Sequence, residues 1–110
     1  MAKTLKTMAN KLKLLSKEAV LPNQTIYKFD LEGGFDPHKS TPVEGKFGTF
    51  PAGQNPIVAW VTSDFKGKEM AELHYAIQNL NRNGFTLWVT NCLAQGRYAI
   101  GTISVVVLHS

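Results

Sequence analysis

Hydrophobic and polar positions alternate along much of the chain. In QTIYKFDLE, residues 24–32, Tyr27, Phe29 and Leu31 fall on one side and Ile26, Lys28 and Asp30 on the other. That period of two is the mark of a strand with one buried face. IVAWVT, residues 57–62, is rich in β-branched residues and reads as a second strand. Near the end of the chain, Ile103, Val105 and Val107 alternate in the same way. Between these runs, residues 33–56 hold Gly33, Gly34, Gly45, Gly48 and Gly53 with Pro37, Pro42, Pro51 and Pro56. Such a density of breakers excludes a continuous helix and predicts a long loop, with a short strand at most at KFGTF. His38 in this stretch is expected to be exposed.

Two segments follow other rhythms. In the first, Leu5, Met8, Leu12, Leu15 and Ala19 recur at steps of three and four, a heptad spacing that predicts a short amphipathic helix over residues 1–21. Leu14 interrupts the stripe, and Pro22-Asn23 ends it. A helix this short is marginal in isolation. It must pack on its own domain or bundle with copies from other subunits, with Leu5, Met8, Leu12 and Leu15 as the seam. The second segment is KEMAELHYAIQNLNRNG. Met70, Leu73, Ile77 and Leu80 suit a helix that Gly84 would cap. The alternation of Leu73, Tyr75 and Ile77, followed by Asn83-Gly84, suits a β-hairpin. Beyond Gly84, Phe85, Leu87 and Val89 alternate with Thr86, Trp88 and Thr90, which favours the hairpin and turns Trp88 outward.

Composition agrees with one folded domain. The chain has 110 residues, 44% of them apolar and 18% charged. That is enough for a hydrophobic core without staples, and the single cysteine, Cys92, excludes an internal disulfide. Cys92 reads as a small buried or half-buried hydrophobe. No apolar run reaches membrane-spanning length, and the N-terminus lacks the apolar core of a signal peptide. Synthesis in a reducing cytoplasm follows as the expectation. The net charge of +4 is local: Lys3, Lys6, Lys11, Lys13 and Lys17 against Glu18 account for it, and residues 19–110 balance to zero. Basic arms can bind nucleic acid. A solvated face explains the same lysines, and the neutral remainder argues against nucleic acid as the main partner.

At this point the block from TFPAGQNPIVAWV through IQNLNRNGFTLWV to ISVVVLH resembles the H-type lectin domains and related heads of bacteriophage tail and receptor-binding proteins. The matching residues are Phe50, Pro51, Pro56, Val58, Asn79, Gly84, Phe85, Thr86, Leu87 and Val89. The closing strand departs from the family pattern, with VVVLH in place of a Trp and a small aliphatic residue. The resemblance implies an all-β, antiparallel β-sandwich of about six strands over residues 22–110, assembled as a trimer. Residues 1–21 would then be its helical stalk. It also implies a virion protein whose partners are sister subunits, cell-surface saccharides or other virion proteins.

Catalytic motifs are missing from the sequence: no phosphate loop, no G-x-S-x-G, no H-E-x-x-H and no paired cysteines. The expectation is a protein that is not an enzyme, with no cofactor and no metal. Asp30, Glu32 and Asp36 read as a solvated strand end. The stronger signals are aromatic. An outward Trp88 is suited to a sugar ring or to a subunit contact. Arg97 and Tyr98, on the loop expected after the Trp88 strand, add a fork of donors and a flat ring with a polar tip. Trp88, Arg97, Tyr98 and His74 are the candidate ligand contacts, and Trp88 is also a candidate interface residue. The competing reading, a nucleic-acid-binding protein, rests on the lysine-rich first segment alone.

Overall fold

The computed structural model describes residues 10–62 and 65–110. These form seven strands and one helical turn: β1 (Lys11–Leu21), β2 (Gln24–Phe35), β3 (Lys39–Lys46), β4 (Pro56–Val61), α1 (Lys68–Ala71), β5 (His74–Asn81), β6 (Gly84–Asn91) and β7 (Arg97–His109). The strands make two antiparallel sheets, a four-stranded one in the order β1-β2-β7-β4 and a three-stranded one in the order β3-β6-β5. The sheets stack as a sandwich. The chain changes sheet at four connections and stays within one at the β1–β2 and β5–β6 hairpins.

The core follows from the alternation. Tyr27, Phe29 and Leu31 of β2 and Ile103, Val105 and Val107 of β7 point inward and are wholly buried. Phe85, Leu87 and Val89 of β6 and Val43 of β3 face them from the other sheet. The centre is aromatic. Phe29 meets Phe85 edge-on at 5.3 Å between ring centroids, and Phe47 lies 4.5 Å from Tyr27 and 5.4 Å from Phe85. Such offset and edge-on pairs add roughly 0.5–1.5 kcal/mol each beyond their buried area.

The helix expected over residues 1–21 is not what residues 11–21 form; they are β1, paired antiparallel with β2. The decisive pattern there is Lys-Leu-Lys-Leu. Lys11 and Lys13 point out opposite Glu32 and Asp30, while Leu12 and Leu14 lie opposite Leu31 and Phe29 and pack on the core. A β-bulge between Leu14 and Ser16 leaves Leu15 unpaired and half exposed. Leu12 and Leu15 therefore do not share a seam. Leu14, which spoiled the helical stripe, belongs to the true one. Leu5 and Met8 lie outside the described residues.

The long loop expected over residues 33–56 also contains strand. β2 continues through Gly33 and Gly34 to Phe35, and β3 occupies residues 39–46. β3 accepts Pro42 because it is an edge strand, where a missing N–H can face away from the ladder. The expected KFGTF strand is absent: Phe47 donates its N–H to the Asn83 carbonyl at 3.0 Å, and Gly48 then turns the chain at φ 73°. His38 is exposed in the turn between β2 and β3 at φ 54°.

The 68–83 ambiguity resolves into both elements. A single turn of helix buries Met70, and the hairpin β5–β6 follows. Its turn is not built as Asn-Gly would suggest. The positive φ falls on Asn79, at 55°, beside a register shift between Gln78 and Asn81. Gly84 is instead the first residue of β6, and a Cβ there would stand 1.9 Å from the Gly45 carbonyl oxygen. It is glycine because β3 approaches it closely, not because of its φ. Cys92 is exposed in the turn after β6, not buried as expected, because the strand ends at Asn91.

Candidate functional site

The outer face of the three-stranded sheet is assembled from the out-pointing positions of β3, β6 and β5. Trp88 stands at its centre, opposite Pro42 on one side and Ala76 on the other. Both neighbours are short, so the indole lies across the face between them. Thr86 and Thr90 flank it along β6. Ser40 Oγ and Thr90 Oγ1 are 2.7 Å apart, and Thr86 Oγ1 donates to Glu44 Oε2 at 3.0 Å. Asn79 Nδ2 donates to Thr86 Oγ1 at 3.3 Å. His74 of β5 lies opposite Thr90, one pair along from Trp88 on the same face. The result is an indole in a frame of hydroxyls, one carboxylate and one imidazole. The Trp88 Nε1–H is covered and has no acceptor among the described residues.

The other two candidates lie elsewhere. Arg97 opens β7, and its Nε donates to Glu72 Oε1 at 2.9 Å in an ion pair at the sandwich edge. Tyr98 points out from the four-stranded sheet, and its hydroxyl donates to Glu32 Oε2 at 2.7 Å. That bond, with the carboxylate charge beside it, raises the Tyr98 pKa. The two residues lie at the start of a strand, not on a loop, and their strand belongs to the sheet opposite Trp88. Trp88 and His74 thus share a face; Arg97 and Tyr98 do not join them.

A feature the sequence did not signal is an open groove of about 490 Å³ between β1 and the 49–52 segment. Lys17, Ala19, Thr25, Tyr27, Phe50 and Pro51 line it. Lys17 Nζ donates to the Thr49 carbonyl at 2.8 Å. Behind it the buried His109 is held between two side chains. Its Nε2 accepts from Thr25 Oγ1 at 2.9 Å, and its Nδ1–H donates to Gln54 Oε1 at 2.5 Å. Gln54 can only accept through that oxygen, which fixes this tautomer for a neutral ring. Phe50 packs edge-on against His109, and the Arg82 guanidinium lies over the Phe50 ring at 5.7 Å.

Among the described residues, no three of the His, Cys, Asp and Glu side chains group closely enough to hold a metal ion. His38, His74 and His109 sit in a turn, on an outer face and at the buried end of β7. The clearest displaced acidity is that of Tyr75. Burial raises its pKa to about 12, and its hydroxyl donates to the Met70 carbonyl at 2.6 Å. That bond ties β5 to α1 rather than preparing a base.

No family model matches the chain, and no curated protein matches it. A solved structure does share its fold. It is a P. aeruginosa R1 pyocin fibre fragment comprising C-terminal residues 323–701, superposed with a TM-score of 0.56 at 11% identity. The likeness covers 87% of this chain and 28% of that fragment. The likeness is one of fold, to part of that fibre fragment. At this identity the likeness concerns the path of the chain and not the side chains, so the Trp88 face is to be judged on its own chemistry.

Proposed function

We propose that the chain is a non-enzymatic module of a phage-tail-type fibre, present in the virion as a homotrimer. In this reading it presents the outer face of its three-stranded sheet to a cell-surface saccharide. The observation that carries the tail-fibre part is the fold likeness, which extends over most of the chain and over about a quarter of a fibre fragment. The saccharide part is supported by Trp88 in its frame of Ser40, Thr90 and His74. Sugar rings offer an apolar face to an aromatic plane and hydroxyls to neighbouring donors and acceptors. A receptor-binding head of the lectin-like kind suggested by the sequence fits the same geometry.

Nucleic-acid binding gains no support from β1. Its Lys11 and Lys13 stand opposite Glu32 and Asp30, and its Lys17 is turned onto the Thr49 carbonyl, so the three do not form an outward basic stripe. A phosphate-binding stripe would show unopposed basic residues.

Two measurements test the proposal. Light scattering on the purified chain is expected to give three times the chain mass, and a monomer at all concentrations removes the trimer. A glycan array is expected to retain the wild type and to lose it on Trp88→Ala with the fold intact. Equal retention of the two proteins would take the ligand away from this face.

A further inference from the structure

The outer face of the four-stranded sheet carries an apolar band that crosses every strand. Ile26 of β2 lies opposite Val106 of β7, which lies opposite Trp60 of β4. In the next row Leu108 of β7 stands between Gln24 and Val58, and Leu21 of β1 pairs with Gln24. All of these positions point away from the core by the strand alternation. Leu21 is 53% exposed, Val58 43% and Trp60 42%. Ile57, at the bulge that opens β4, is 70% exposed. The band leaves on the order of 500 Å² of apolar surface in one place, toward the upper end of what a monomer shows.

The rest of the same face carries balanced charge, with Tyr98 and Ile100 exposed at the far end of β7. Its outward charged residues are Lys11, Lys13 and Lys28 against Glu18, Asp30 and Glu32. A face with no net charge meets a copy of itself without like-charge repulsion, and it offers no field to an acidic polymer. A standard interface takes about 800 Å² from each partner, about 60% of it apolar. The band matches that apolar share, and its full-sheet width lets each chain turn it toward a shared axis, where it meets the same band of the sister chains.

We infer that this band, at the end of the four-stranded sheet where β1 and β7 finish, is where copies of the chain meet. The inference rests on the self-association proposed above and gives it a surface. That surface is distinct from Trp88, which lies on the opposite face of the sandwich, and Trp88 is thereby left open to a ligand.

The test is light scattering of the full chain over a range of concentrations, with circular dichroism to confirm the fold. Ile57→Lys and Val58→Lys are expected to lower the mass to that of the monomer at concentrations where the wild type is assembled. Ala94→Lys, on the exposed turn before β7, is expected to leave the mass unchanged. Should Val58→Lys fail to fold, Ile57→Lys decides alone, since its side chain lies largely in solvent. Variants that stay assembled overturn the surface but leave the trimer standing. A wild type that is monomeric throughout overturns both.

Discussion

At Gly84 a single methyl group decides whether β3 and β6 can pair. An alanine there would drive its Cβ into the Gly45 carbonyl, and Gly45 in turn has the Phe85 ring seated on it, with ring atoms from 2.4 Å of where its own Cβ would be. Backbone cannot swing aside as a side-chain tip can. Gly84→Ala is therefore expected to cost more than about 2 kcal/mol, in the range of overpacking and backbone strain. Gly53→Ala is the comparison: its φ is 73° but nothing lies within 4 Å of the new carbon, so about 1 kcal/mol is expected. Urea midpoints of the two variants check the contrast. Trp88 gives the opposite sign. Its covered N–H has no acceptor among the described residues, so Trp88→Phe removes a donor that costs about 1–3 kcal/mol when left unpaired. The variant is expected to be as stable as the wild type or more so, by the same measurement, while sugar retention falls. Tyr75 adds a pH dependence. Its folded pKa of about 12 lies above its unfolded value of 10, so its contribution is complete below pH 10 and is lost as pH rises toward 12. Tyr75→Phe is expected to lessen the fall in stability between those values, seen as a smaller shift of the urea midpoint from pH 9 to pH 11.5.

At the scale of elements, β1 shows how a bulge disguises a strand. Counting from Leu12, the bulged Leu15 lands at a heptad position, so a strand with one extra residue mimics a helical stripe. The two assignments predict different sensitive residues. In the sandwich Leu14→Ala removes a side chain packed on the core and costs about 1–2 kcal/mol, and Leu15→Ala stays within about 0.5 kcal/mol. A heptad seam would reverse that order, and thermal midpoints of the two variants tell them apart. The strands with clean alternation, β2, β6 and β7, were legible because each has one face in the core and no interruption. β3 was not, because an edge strand tolerates Pro42 and Gly45, which read as breakers. The candidate site divides for the same kind of reason. Parity along β6, with the hairpin register, places Trp88 and His74 on one face. Nothing in the sequence says that β7 joins the other sheet, and Arg97 and Tyr98 go with it.

At the scale of the molecule, the pairing of β7 with β2 joins the last described strand to nearly the first and holds the sandwich together. β1 and β7 both run from the Glu32 side of the sheet toward the Gln24 side, on either flank of the oppositely directed β2. Residue 11 thus stands at one end of the sheet and residue 109 at the other. Tension applied between those two points loads the β1–β2 and β2–β7 ladders in shear, so their hydrogen bonds must yield together rather than peel one after another. A sandwich pulled in this way resists force out of proportion to its equilibrium stability. In the fibre role proposed above, mechanical strength would come from the order of three strands.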